Sequence, residues 1–506
     1  MKFLLLGCLA SFATVWLVVR CQDDAGFSLR VSTKGINWAI QAGLQALENY
    51  TQSIELPDIL VDLQAVQGYA NITNMGVRDV SAPTFDSRFD GSRLNLSGAG
   101  GSIAFGADVE AEFRLLFTFH FKGTVDILAN NMLAEIGTDL RRSERGSLRL
   151  EDVGCNVKLG YLDLTISGGV LGFILNLLSS LVEAVVNASL RAVIQPIVCG
   201  QAVPLLEVQA NEALESFPLE TPPFAIEGVD FVADYAFVAD PVGEGTFVQT
   251  FHKGEIRRVG QTTPFPPSGI NDNGNSTAKS FYFYGSDYMA NSFFYHAEAA
   301  EVLNFLATPE TVPDLANVLQ FDCDAPPACL GSILPILQQQ FPGGHGELAL
   351  RVKDGQAPEM TVSPTGAALS AEVTGTIVAV DADGQSTPDA VDMELRTTTR
   401  LNVSVVPEGD GDKVKANVTS IEIDVVRATA GGVDVTDQLQ AGVGLIAQML
   451  MDAANQLLET GFVLPNFAGV SLVNPAIRYY PGTIVIETDV SYTPQLPKHQ
   501  PRHEKL

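Results

Sequence analysis

Apolar positions recur along this chain with two periods, about 3.6 residues in a few long stretches and two residues in most of the rest, which predicts amphipathic helices and half-buried strands. FSLRVSTKGINWAIQAGLQALENY offers Ser32 or Thr33 as a helix cap. Ile36, Ile40, Leu44 and Leu47 then share one face, with Asn37, Gln41, Gln45 and Glu48 opposite. GGVLGFILNLLSSLVEAVVNASLRAVIQPIVC, residues 168–199, is the most apolar long stretch after the N-terminus. Its polar residues Asn176, Ser180, Glu183, Asn187 and Arg191 fall at spacings of three and four and stack into one narrow stripe. A helix here would leave Leu171, Ile174, Leu178, Leu181, Val182, Val185 and Ala192 to be covered by protein or by a lipid-like ligand. Glu183 arrives after about a dozen apolar positions, whereas a bilayer span needs roughly 20 uncharged residues.

Strict alternation marks IAFGADVEAEFRLLFTFHF, where Ile103, Phe105, Val109, Ala111, Phe113, Leu115, Phe117, Phe119 and Phe121 are all odd. This predicts one long half-buried antiparallel strand with a bend near Gly106. VDILANNMLAEIGTDL and GSLRLEDVGCNVKLGYLDLTI continue the meander, and the chain from PLLEVQA through VDFVADYAFVADPV reads as strand. In the second half, SDYMANSFFYHAEAAEVLNFLA predicts a helix with Tyr295, Ala299, Val302, Leu303 and Leu306 on one side. Hairpin signals follow at Asp354-Gly355, Asp383-Gly384 and Asp410-Gly411. VDVTDQLQAGVGLIAQMLMDAANQLLETG closes the series, capped by Thr436, striped by Leu439, Val443, Ile446, Leu450, Ala453 and Leu457, and stopped by Gly461. Each half thus reads helix, meander, long apolar helix, final strands, as in a diverged tandem repeat. The fold class expected is α+β: two tandem pseudo-repeated, highly twisted antiparallel β-barrels, each with two helices.

The boundaries expected are a signal peptide over 1–21, an N-terminal unit over 22–261, a Pro/Gly/Asn-rich linker over 262–277, a C-terminal unit over 278–495 and a polar tail over 496–506. Lys2, the apolar run from Phe3 to Val19 and the Val19-Arg20-Cys21 end suit cleavage before Gln22, the alternative being an uncleaved anchor. Secretion to the extracellular space follows. Asn-x-Ser/Thr acceptors at Asn49, Asn71, Asn95, Asn187, Asn275, Asn402 and Asn417 suit that compartment. So does the even set Cys155, Cys199, Cys323 and Cys329, which favours disulfides.

A formal charge of −29 makes nucleic acid and anionic membrane surfaces poor partners for the whole molecule. No Gly-x-Ser-x-Gly, His-Glu-x-x-His or Gly-Lys-Ser/Thr motif occurs, the six histidines are scattered, and no cofactor or metal is expected. Gly442-x-Gly444-x-x-Ala447 imitates a dinucleotide fingerprint, but it lies inside a helical pattern with no strand before it. Glu408, Asp410 and Asp412 read as a solvated hairpin turn rather than a calcium site. The chain reads as a non-enzyme.

LRVSTKGINWAIQAGLQAL, the cysteines flanking strand and apolar helix, GSDYMANSFFYHAEAAEVL, PEMTVSPTGAALSAEV and FVLPNFAGVSLVNPAIRYYPGTIVIETDVSY together resemble the bactericidal/permeability-increasing protein family. That family includes lipopolysaccharide-binding protein and the plasma cholesteryl ester and phospholipid transfer proteins. The resemblance implies a boomerang of two barrels joined by a central sheet, with an apolar pocket beside the helices of each barrel that takes phospholipid acyl chains. It implies a Cys155–Cys199 disulfide, while Cys323 and Cys329 lie outside the family pattern and read as a small disulfide loop in preference to a metal site. A phospholipid or other two-chain lipid is then expected in the first barrel, against Ile36, Ile40, Leu44 and Leu47 of one helix and Ile174, Leu178, Leu181 and Val185 of the other.

Lipid particles or membranes would be transient partners. Lipopolysaccharide-recognising members carry basic residues at the tip of the first barrel. The matching stretches here hold Glu55, Asp58, Asp62, Asp108, Glu110 and Glu112, with Arg114 alone basic. The leading expectation is therefore a secreted lipid-binding or lipid-transfer glycoprotein. The alternatives are an innate-immune protein binding lipopolysaccharide and a structural or adhesive glycoprotein on the same scaffold.

Overall fold

The structure is a computed structural model that describes residues 24–47, 58–63, 67–81, 83–114, 118–158, 160–167, 196, 199–200, 203–271, 276–311, 316–323, 329–408, 411–459, 461–463 and 470–492. Segment 1–21, most of the apolar stretch 168–199, Asn49, Asn187, Asn275 and the tail 496–506 lie outside them.

Strand β1 (Phe27–Ser32) leads into helix α1 (Thr33–Leu47). The Ser32 hydroxyl accepts the Gly35 N–H at 3.3 Å and donates to the Lys279 carbonyl at 2.8 Å, so Ser32 is the cap. A sheet follows, built from β2 (Ile59–Leu63), β3 (Gly68–Ser81), β4 (Thr84–Gly91), β5 (Arg93–Arg114), β6 (Thr118–Arg142), β7 (Leu148–Lys158) and β8 (Leu162–Ser167). The expected single strand from Ile103 to Phe121 is corrected here to the end of β5 and the start of β6. Phe113 faces Phe119 and Ala111 faces Phe121 across the pair. Because every odd residue meets an odd partner across a three-residue connection, the alternation passes through the turn unbroken and hides it. The bend is also relocated. Gly100 and Gly101, with φ of 80° and 76°, and Asn131, with φ of 54°, mark where the buried positions change parity, from even to odd along β5 and from odd to even along β6. At Gly106 the missing side chain makes room for the Arg78 guanidinium, which pairs with Asp126.

Residues 204–210, expected as strand, lie in helix α2 (Val203–Ser216). Pro204 sits in its first turn, where a missing N–H breaks no bond. The Asn211 amide then accepts from the Leu150 N–H at 2.8 Å and donates to the Leu150 carbonyl at 2.9 Å, fixing the helix along β7. Short strands β9 (Phe224–Ile226), β10 (Val229–Asp234), β11 (Val242–Gly245), β12 (Phe247–His252), β13 (Glu255–Arg258) and β14 (Phe281–Ser286) lead to helix α3 (Asp287–Glu298). The longer helix expected here stops early. Val302 N–H turns back to the Ala297 carbonyl, Glu301 takes a left-handed φ of 59°, and β15 (Phe305–Ala307) pairs with a neighbouring strand instead.

The second half is an eight-stranded antiparallel sheet of β15, β16 (His345–Val352), β17 (Glu359–Ser363), β18 (Gly366–Val380), β19 (Ser386–Glu408), β20 (Gly411–Ala430), β21 (Val433–Asp434) and β22 (Phe462–Val463). Two short helices, α4 (Leu330–Ile333) and α5 (Pro335–Gln340), and the long α6 (Thr436–Leu458) fill its inner side. Thr436, expected as the cap, is the first helical residue. The cap position is Val435, which has no side-chain acceptor; Asp434 before it accepts the Thr436 N–H at 3.0 Å and its hydroxyl at 2.6 Å, and these bonds hold its carboxyl below the ordinary value. A Cβ on Gly442 would meet Ile333 at 2.5 Å, so close helix packing accounts for that glycine.

Finally β23 (Val470–Tyr480) and β24 (Thr483–Tyr492) return to the middle of the molecule. The hydrogen-bonded order β4-β11-β12-β1-β14-β24-β23 carries the first sheet without interruption into the last strands of the chain. The fold class is as expected: two large twisted antiparallel sheets with helices packed against them, the first running on into the central strands of the molecule. The second sheet is clasped to that centre by the Asn291 amide, bonded to Met360 N–H at 2.6 Å and Met360 carbonyl at 3.1 Å, by Gly482 N–H to the Val362 carbonyl, and by Val403 N–H to the Tyr479 hydroxyl.

Candidate lipid-binding site

The inner side of the first sheet is apolar over a long distance. Ile72, Met75, Phe105, Val109, Phe121, Val125, Ile127 and Leu162 are buried in one cluster, with Val77, Ile103, Phe119, Leu164 and Ile166 packed against it. A second cluster of Phe89, Leu140 and Val248 lies where β4 and β6 approach the central sheet, and Ile36 of α1 packs there. In the second half, Leu348, Leu350, Met393 and Leu395 of the sheet face Leu439 and Val443 of α6 around an apolar gap. That gap takes no more than about one water-sized guest.

Of the residues expected to hold lipid, Ile36 and Ile40 are half-buried on α1. Leu44 and Leu47 belong to the same helix, but their side chains lie outside the described residues, as do Ile174, Leu178, Leu181 and Val185 entirely. Asn37 departs from the pattern reading. It was expected on the polar face, yet its Oδ1 is buried and without a hydrogen-bond partner.

The tip of the first sheet is more evenly charged than the order of residues along the chain suggests. Asp62, Tyr69, Glu112 and His120 stand side by side across four strands, as do Leu60, Asn71, Glu110 and Lys122. Lys122 pairs with Glu110, and the His120 Nδ1 lies 3.5 Å from Glu112. Lys122 follows the hairpin, so only the register brings it opposite Glu110. An exposed pair of this kind contributes at most about 1 kcal/mol, but it offsets one of the acidic charges at the tip.

In the central sheet, Arg30 is 1 % exposed. Its guanidinium donates to Gln249 Oε1 at 2.9 Å and lies over the rings of Phe247 and Tyr284, 4.2 and 5.4 Å from their centroids. Burial lowers its pKa. Alternation in FSLRVS puts this arginine inward, but its partners are more than two hundred residues away.

Both disulfides are formed: Cys155–Cys199 with Cα atoms 5.4 Å apart, and Cys323–Cys329 with Cα atoms 6.0 Å apart. Among the sequons, Asn402 and Asn417 are exposed and directly opposite one another on β19 and β20, whereas Asn71 and Asn95 are half-buried. Among the described residues, no three His, Cys, Asp or Glu side chains converge as metal ligands, and no helix is long and apolar enough to cross a membrane.

Known proteins match along nearly the whole chain. The model of the LBP / BPI / CETP family N-terminal domain matches residues 35–210, and that of the C-terminal domain matches 228–492. The chain is 22% identical over 486 residues to bactericidal permeability-increasing protein of Sebastes schlegelii, covering 93% of this chain and 96% of that protein. It is 21% identical over 498 residues to human phospholipid transfer protein, covering 96% and 94%, and 22% identical over 480 residues to human lipopolysaccharide-binding protein, covering 93% and 94%. A crystal structure of lipopolysaccharide binding protein superposes with a TM-score of 0.57 at 21% identity, over 93% of this chain and 99% of that one, and so shares the fold. With both domain models matched in order across the two twisted sheets, this chain belongs to the LBP / BPI / CETP family, whose members bind or transfer lipids and are not enzymes.

Proposed function

We propose that the protein is a secreted lipid-binding or lipid-transfer glycoprotein that holds a phospholipid or another two-chain lipid in its first half. Its acyl chains would lie between α1 and the stretch 168–199, against the inner side of β5 and β6. The observation that carries this reading is the long apolar inner side of the first half, made of one cluster around Ile72 and Phe105 and a second around Phe89 with Ile36 of α1 packed against it. Domain limits at 22–261 and 278–495 belong to the same proposal. Organic extraction of protein purified from a secreting host, followed by mass spectrometry, tests it. The expected result is a two-chain lipid near stoichiometric amount; recovery of protein free of any lipid, and unable to take one up from vesicles, would sink it and favour the structural or adhesive reading.

Lipopolysaccharide binding is the second reading, suggested by the name of the human lipopolysaccharide-binding protein among the relatives. Against it stand the acidic composition and the pairing of Lys122 with Glu110 at the tip. Association with anionic vesicles should accordingly change little, by less than about twofold, as salt rises through the range where the Debye length falls from about 30 to 8 Å. Co-sedimentation measures this. A steep loss of binding with salt would mean that a basic patch, not the apolar interior, makes the main contact.

A further inference from the structure

Helix asparagines in this fold have a habit. Asn211 of α2, Asn291 of α3 and Asn455 of α6 each clasp one strand residue through both its N–H and its carbonyl: Leu150, Met360 and Val418 respectively. Asn37 lies on α1, a helix packed over β4, yet its buried Oδ1 meets no donor. A buried acceptor left unpaired costs more than an ordinary hydrogen bond gains, so such a group calls for a partner.

Its place on the helix says where that partner comes from. At 3.6 residues per turn, Asn37 and Leu44, seven positions on, project within about 20° of one another. Asn37 therefore borders the stripe of Ile36, Ile40, Leu44 and Leu47 rather than opposing it. We infer that Asn37 is a ligand-binding residue whose Oδ1 accepts a hydrogen bond from a hydroxyl or N–H group of the bound lipid. This rests on the proposal that the first half holds a lipid along α1. The donor is either a headgroup ammonium or a hydroxyl of the glycerol backbone; a choline headgroup on a fully esterified glycerol offers neither.

Two pairs of lipids with identical oleoyl chains test the inference on delipidated full-length protein. Dioleoylphosphatidylethanolamine and dioleoylphosphatidylcholine differ in headgroup N–H donors; dioleoylglycerol and its 3-O-methyl ether differ in one glycerol hydroxyl. Wild type should prefer the donor-bearing member of one pair by about fivefold to tenfold, the effect of one hydrogen bond, and which pair responds identifies the source of the donor. Asn37→Leu, of similar size but apolar, should abolish that preference while leaving the melting temperature at or above that of wild type. Asn37→Ala provides the same readout if the leucine does not fit.

Equal affinities within both pairs for wild type, or a preference that survives both substitutions, overturns the inference while the lipid-binding reading stands. Failure of wild type to bind any of the four lipids overturns both.

Discussion

Replacing Cys155 and Cys199 together by alanine should lower the stability of the folded protein by about 3 to 4 kcal/mol, read from denaturant unfolding with the slope fitted for each protein, and should sharply reduce secretion. The bridge spans 44 positions of sequence and ties β7, where Cys155 stands opposite Ile136, to the end of the apolar stretch. In the chain-entropy account, closing a loop of that length removes more freedom from the unfolded ensemble than closing the Cys323–Cys329 loop, which spans only 6 positions. The same double replacement at Cys323 and Cys329 should therefore cost less, about 2 kcal/mol. Non-reducing peptide mapping provides the control. A free thiol at Cys155 in folded protein, or a double-alanine loss below that of the short loop, would remove the long bridge from its proposed place in stability.

What the sequence makes legible here is set by how far apart the interacting residues are. Helix α1, its Ser32 cap and the core of α6 are local matters of period and capping, and they are found where the pattern puts them. The turn between β5 and β6 is local too, but alternation cannot see it, since Ala111 and Phe121 have the same parity on either side. Helix α2 is not legible because Leu205, Leu206 and Val208 fit either period, and the arbiter is Asn211 clasping a strand some sixty residues earlier. The helix expected past Glu298 loses to β16, which offers Phe305–Ala307 a ladder of backbone bonds.

The candidate site divides along the same line. Apolar stripes on α1 and alternating positions on β5 are readable, and Ile36 and Phe105 sit on buried or half-buried inner surface as the pattern requires. The pairing of Lys122 with Glu110, the aromatic embrace of Arg30 and the isolation of the Asn37 oxygen are products of register and packing. No window of sequence contains both members of those pairs in a form that marks them. The acidic tip read from residues 108–112 is for this reason half of a charge pattern whose other half follows the turn.

Acid should weaken the central sheet through His252. The ring is buried between β1 and the segment after β10, its Nδ1–H donating to the Tyr235 carbonyl at 2.7 Å and its Nε2 accepting the Thr250 hydroxyl at 2.8 Å. Phe237 and Phe27 face it with ring centroids at 4.3 and 5.5 Å, and the nearby carboxylate of Asp234 is already engaged by Lys253. Burial lowers the pKa of His252 from 6.5 to about 4, partly offset by the Tyr235 carbonyl.

Above pH 6.5 neither the folded nor the unfolded chain protonates this ring, and the stability is fully present. As pH falls from 6.5 towards 4 the unfolded chain takes up a proton that the folded one refuses, which at pH 5 removes about 2 kcal/mol. His296, also lowered chiefly by burial, adds in the same direction. The opposing effect is general: an acidic chain of charge −29 relieves its own repulsion as carboxylates protonate. Comparing wild type with His252→Phe separates the two, because the variant keeps an aromatic ring and the overall charge pattern but cannot titrate. Wild type should lose about 2 kcal/mol more than the variant between pH 7 and pH 5 in denaturant titrations, even though the variant is the less stable protein at pH 7 for want of two hydrogen bonds. Parallel pH profiles for the two proteins would mean that the folded state admits the proton, and that the Thr250 hydroxyl turns to the Leu29 carbonyl, 3.1 Å away, to let it in.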